Sequence, residues 1–195
     1  MTQLGLYRGN VRDALGYLAS MDPTSPDTFV RRNLPRHGLY DSASDTGQVA
    51  LATGVMTAVP VFLQAGDVIT NISVRSGATA ANTPTNYWFA LYSDAATPVL
   101  LAQTADQTST AWAANTTKTL PLASAYTVPR HGFYWVAIMV AATTPPTLLG
   151  NVVAPAIATG ERNLSVSSGS GLTTTAAATL ATPTAKQFAP YVALT

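Results

Sequence analysis

The chain has 195 residues, enough for one domain with an extension and a sizeable apolar core. Charged residues make up only 10% and net charge is +1, well short of the basic excess of a nucleic-acid binder. With no cysteine, disulfides and thiolate metal sites are excluded, and no apolar run is long enough for a membrane-spanning helix.

The first 45 residues differ from the rest. They carry five of the ten Lys/Arg (Arg8, Arg12, Arg31, Arg32, Arg36) and five of the nine acids. The opening MTQLGLYRGN has no apolar core of a secretory leader, so the product is expected to be made in the cytoplasm and not secreted. One short helix is predicted near residues 10–21. Asn10 can cap it, and Val11, Leu15 and Leu18 share a face with Tyr17 beside them. Gly16 weakens it by about 1 kcal/mol relative to Ala, and Asp22-Pro23 ends it. A helix this short is marginal alone in water. Pro23, Pro26 and Pro35 then stiffen a segment holding Arg31, Arg32 and Arg36. The reading is a docking arm, residues 1–45, whose contacts with a partner are Leu15, Tyr17, Leu18, Arg31, Arg32 and Arg36. The alternatives are a disordered leader and a solvated or internally paired arginine cluster.

Residues 46–195 read as strands. VMTAVPVFLQ and AGDVITNISVRSG predict two strands across a tight turn at Ala65-Gly66-Asp67. In the second, Val68, Thr70, Ile72 and Val74 alternate with Ile69, Asn71, Ser73 and Arg75, the period of a half-buried strand. Pro60 argues for an edge or a bulge. Residues 77–85 read as a small-residue loop, 86–94 as a strand, and 99–104 as its hairpin partner.

A loop over residues 106–117 surrounds Trp112, either as a lid on the sandwich end or as a ligand-stacking platform. Residues 118–122 and 125–128 read as short strands, and Pro129-Arg130-His131-Gly132 as a turn. Residues 133–142 are apolar at even and odd positions alike, which predicts a central strand buried on both faces. Trp88, Phe89, Leu91, Trp135, Val136 and Ile138 are the expected core. Residues 147–160 read as irregular, 164–168 as a strand, 172–183 as a Thr/Ala-rich stretch without period, and 187–194 as a closing strand with Pro190 at an edge or bulge.

These elements predict an all-β, antiparallel β-sandwich, jelly-roll-like, behind an arm with one short helix. Catalytic patterns are lacking. His37 and His131 are distant in sequence and both sit in Pro-Arg-His-Gly turns; Glu161 is the only Glu. No P-loop, dinucleotide fingerprint, nucleophile elbow or calcium loop is present. No enzyme activity, cofactor or metal is expected.

The Gly66-Asp67 turn, the strand YWFALY, the entry Leu101-x-x-Thr104-Ala105-Asp106 to a Trp loop and the strand Gly132-Phe133-Tyr134 together resemble a β-sandwich module of tailed-bacteriophage structural proteins. These are the head-decoration and minor tail or fibre proteins of phages infecting actinobacteria. The resemblance covers residues 47–195 and implies a virion subunit, with no site residue carried over. The expected function is capsid decoration, anchored through residues 1–45 to a major capsid or tail protein. The weakly charged surface and Pro-marked edges add an expected homo-oligomer, a trimer. The alternatives are a minor tail or fibre protein, or a module binding a host glycan through Trp112 or other loop aromatics. No nucleic acid or membrane partner is expected.

Overall fold

A computed structural model describes residues 48–153 and 162–195. The arm, its helix near residues 10–21, His37, and Leu15, Tyr17, Leu18, Arg31, Arg32 and Arg36 lie outside the described residues. Within them the regular elements are strands: β1 Gln48–Ala50, β2 Met56–Leu63, β3 Val68–Arg75, β4 Asn82–Tyr92, β5 Leu100–Gln103 and β6 Thr117–Thr127, then β7 Gly132–Thr144, β8 Thr147–Val152, β9 Val166–Ser168, β10 Thr184–Ala185, β11 Phe188–Pro190 and β12 Val192–Leu194. They form a six-stranded sheet, β10-β9-β2-β7-β4-β5, and two three-stranded sheets, β12-β3-β6 and β1-β8-β11, with antiparallel pairing. The described residues form an all-β sandwich, as the turn spacing implies.

The period of two sorts the side chains of the large sheet into two apolar layers. On β4, Tyr87, Phe89 and Leu91 face the inner layer, and Trp88, Ala90 and Tyr92 the outer one. On β7, Tyr134, Val136, Ile138 and Val140 point inward, and Trp135, Ala137 and Met139 outward. Ile69, Ile72 and Val74 of β3, Leu120 and Leu122 of β6, and Val192 and Leu194 of β12 complete the inner layer. All six expected core residues are buried. β7 lies between β2 and β4, so its double-sided apolar pattern does mark a central strand.

The outer layer is closed by irregular chain. Residues 172–180 cross the outer face of the sheet, where Leu172, Ala176, Ala177 and Leu180 pack against Trp88, Trp135 and Met139. Beyond one antiparallel bridge, Thr179 to Val99, the strap must satisfy its backbone in other ways. Trp88 Nε1 donates to Thr173 O at 2.7 Å, and Tyr92 OH to Ala177 O at 2.8 Å. Gln103 Nε2 donates to Thr174 O at 2.9 Å, while its Oε1 accepts from Ala176 N at 2.7 Å. Leu100 N donates to Ala178 O, and Leu180 N to Pro98 O.

Several local expectations are corrected. β2 and β3 flank the turn at Gly66 but lie in different sheets, so the turn carries the chain across the sandwich. Gly66 takes φ +91°, and Asp67 Oδ2 accepts from Gln64 N at 2.8 Å. The alternation of β3 changes phase at a bulge between Ile69 and Asn71, so Ile69 is buried and Val68 is exposed. β4 starts at Asn82 rather than residue 86, with a register shift between Pro84 and Asn86. The two short strands expected at 118–128 are one strand, β6.

Pro60 is on neither an edge strand nor a bulge. It pairs with Trp135, and β9 reaches only Met56–Ala58, so Pro60 has no ladder partner on the β9 side to miss its donor. Residues 147–152, read as irregular, form β8. The closing strand is two strands, β11 on β8 and β12 on β3, parted at Tyr191. Pro190 does lie on an edge strand.

Candidate functional site

Trp112, the residue expected either to cap the sandwich or to stack on a ligand, is fully buried. Its ring lies 5.3 Å from Tyr87 and 5.9 Å from Phe89, and its Nε1 donates to Thr116 O at 3.3 Å. It is a lid on the inner layer and has no free face for a sugar, which corrects the stacking alternative. Asp106 serves the same loop: its Oδ2 accepts from Asn86 Nδ2 at 2.7 Å and from Thr108 Oγ1 at 2.6 Å. Burial pushes the Tyr87 phenol above its ordinary value, and the Asp106 carboxylate adds to that. His131 is exposed in its turn. Among the described residues no group of His, Cys, Asp and Glu could hold a metal ion.

The tryptophan that borders a surface cleft among the described residues is Trp135, on the outer face of β7. Trp88 and Trp112 are 0% exposed and Trp135 is 7% exposed, its edge lining a cleft of about 270 Å³. Buried Val166 and Leu180 also line it, with Pro98 and Pro183 at its sides. The β4–β5 turn supplies one wall; Ser93 N donates to Val99 O, and Val99 N donates to Ser93 Oγ.

The turn places Asp94 against the start of β7. A Cβ on Gly132 would collide with Asp94 Oδ2, so glycine there lets the carboxylate lie on the backbone. Arg162 Nη2 donates to Asp94 Oδ1 at 2.9 Å, and Nη1 reaches Phe133 O at 3.5 Å. The same guanidinium lies 5.5 Å from the Phe133 ring centroid and 5.6 Å from that of Trp135. The pair is part-exposed, 40% for the Arg162 side chain and 19% for Asp94, so its worth to stability is small, while its geometry is held from several sides.

Two further clefts differ in chemistry. One of about 350 Å³, beside β1 and β11, is lined by Val49, Leu51 and Phe188 with Lys186 at its side. The other, about 290 Å³, is lined by the hydroxyl-bearing Ser167, Ser168, Ser170, Thr182 and Thr184. The cleft beside Arg162 combines a guanidinium held by Asp94 with an apolar floor. Sequence reading placed Trp135 in the core and singled out neither Arg162 nor Asp94.

No protein-family model matches the chain, and no curated protein matches it.

Proposed function

We propose that this chain is a structural protein of a tailed-bacteriophage virion, a capsid decoration or accessory subunit anchored by residues 1–45. The observation that carries the reading is an antiparallel sandwich whose two apolar layers are filled by side chains from Leu51 to Leu194. The distinct charge and proline content of residues 1–45 supports treating them as a separable anchor. The sparse charge supports a life packed against other subunits, since weak self-repulsion favours association. The resemblance of residues 47–195 to phage head and tail sandwich modules gives the setting. The reading includes a homotrimer and no catalytic step.

The test is co-sedimentation with particles of a phage whose genome encodes the chain. Full-length protein is expected to decorate them, and protein lacking residues 1–45 is expected to fold, by near-ultraviolet circular dichroism, without binding. Unchanged decoration by the truncated protein overturns the anchor. A monomer by light scattering at micromolar concentration overturns the trimer.

A further inference from the structure

We infer that the cleft beside β1 and β11 is the seat of the chain's own Leu39 and Tyr40, which dock there ahead of β1. The inference does not rest on the virion reading; it follows from where the cleft lies and what the neighbouring chain carries.

The cleft opens the inner layer. Leu51 and Phe188 on its walls belong to that layer, and Thr57 continues the inward alternation of Val59 and Val61. Val49 beside them is exposed. The rest of the layer is covered by β3, β6 and β12. β1 is the edge strand of its sheet, so among the described residues no strand lies on its outer side. An apolar wall beside an open strand edge accepts an extended segment, which adds backbone hydrogen bonds to side-chain burial.

The chain supplies such a segment at the right place. The described residues begin at Gln48, and Val49, Ala50 and Leu51 already line the cleft. Tyr40 lies eight residues before Gln48. At up to about 3.5 Å per residue that span reaches any part of the cleft. The residues between, DSASDTG, are turn formers that suit a reversal. So short a tether gives an effective concentration in the millimolar range, and weak contacts then suffice to seat the segment.

Charge selects this part of the arm. Among the described residues that line the cleft, Lys186 is the charged one. From His37 to Gly47 the chain carries Asp41 and Asp45 and no Lys or Arg. Residues 8–36, which hold Leu15, Leu18, Phe29 and Leu34, carry five Arg against three Asp. Lys186 attracts the first stretch and repels the second. Residues 154–161 lead to Arg162, beside Phe133, and Phe133 pairs with Phe62, five residues along β2 from Thr57. The arm is thereby divided: residues 39–45 close the sandwich, and residues 1–36 are left for a partner.

The experiment uses the full chain, which has no native cysteine. Gln187→Cys puts a thiol on the exposed rim of the cleft. It is combined in turn with Tyr40→Cys, Leu18→Cys and Ile157→Cys, and disulfide formation is followed by non-reducing electrophoresis and mass spectrometry. A disulfide needs Cα atoms within about 7 Å, so its rate reports which segment occupies the cleft. The Tyr40→Cys pair is expected to close within one chain, about tenfold faster than the other two. Tyr40→Ser, on the otherwise unaltered chain, is expected to lower the thermal midpoint by about 4 °C or more. The inference is overturned if Leu18→Cys or Ile157→Cys closes as fast, or if the Tyr40→Cys bond joins two chains, which makes a second copy the occupant. An unchanged midpoint for Tyr40→Ser overturns it as well.

Discussion

The two faces of the six-stranded sheet are both buried, and they are buried by different means. The inner face meets other strands, so its cover is hydrogen-bonded into ladders and its side chains follow a period of two. The outer face meets a strap, residues 172–180, whose backbone is held by side chains reaching up from the sheet. A strand pays the cost of burying its backbone through its neighbours in the sheet. The strap has such a neighbour at its end, where Thr179 bridges Val99; along Thr173–Ala177 the sheet beneath it carries polar groups at chosen places: the Trp88 indole, the Tyr92 phenol and the Gln103 amide. The difference teaches that an apolar layer can be sealed without periodicity in the sealing segment, provided the layer below supplies the hydrogen bonds.

The largest expected effect comes from removing the centre of the outer layer. Trp88→Ala is predicted to cost about 3–5 kcal/mol, the range for a fully packed aromatic, because it opens a cavity and leaves Thr173 O without its donor. Urea unfolding checks it. If the midpoint holds while hydrogen exchange in 172–180 rises, the strap opens alone and the two layers are not one cooperative unit.

Leu180→Ala, at the strap's own anchor, is predicted to cost about 2–3 kcal/mol, since irregular chain can settle into part of the space. A matching loss at Ile138 of the inner layer, Ile138→Ala, is expected to be larger, because strands fixed on both sides relax less. Equal losses in thermal unfolding would erase the distinction between the layers.

The smallest effect is on a single hydrogen-bonded phenol. Tyr92→Phe is predicted to cost about 1 kcal/mol at neutral pH by leaving Ala177 O unpartnered. Burial raises the Tyr92 phenol well above its ordinary value, so the folded state keeps that proton to higher pH than the unfolded chain does. The associated stability is complete below about pH 10 and is lost as pH climbs beyond it. Tyr87 shares the direction, through burial first and Asp106 second. Urea midpoints measured at about pH 7 and about pH 10.5 should fall less between the two for Tyr92→Phe than for the parent chain; an identical fall would place the alkaline sensitivity elsewhere.

Much of the inner layer was legible because its physics is periodic. The even-and-odd apolar run of β7, the β4–β5 hairpin and the Trp112 lid all follow from side-chain type and spacing. β3 follows the expected phase from Ile72 on and departs from it at Val68 and Ile69, because a bulge inserts one residue between the two halves; nothing in Thr70 announces it. β8 was missed because TLLGNV is short and carries a glycine. That glycine is needed: a Cβ on Gly150 would collide with the Ala189 carbonyl and the Phe188 ring of β11. The strap was unreadable since its contacts, Leu172, Ala176 and Leu180, are widely spaced among Thr and Ala. The candidate cleft was half legible. Trp135 stood out, but Arg162 is remote in sequence from Asp94, and their meeting depends on the folded path of the chain. The docking residues of the arm lie outside the described residues, so their part in the reading rests on residue type alone.

The strand order has a consequence in time. β2 pairs with β7, Met56 opposite Met139, and also with β9, Thr57 opposite Ser167. β3 waits longer still, for Val192–Leu194. A ribosome therefore releases the two early strands long before their partners exist. Until residue 180 has emerged, Trp88 and Met139 lack their cover, and until 194 has emerged one side of β3 is an open template for another chain. Loops this long must close before any of these pairs is rewarded, so folding should run in the slow, millisecond-to-second regime of non-local β topologies. The interval is a window for misassociation during synthesis, and it closes only when the last strands arrive.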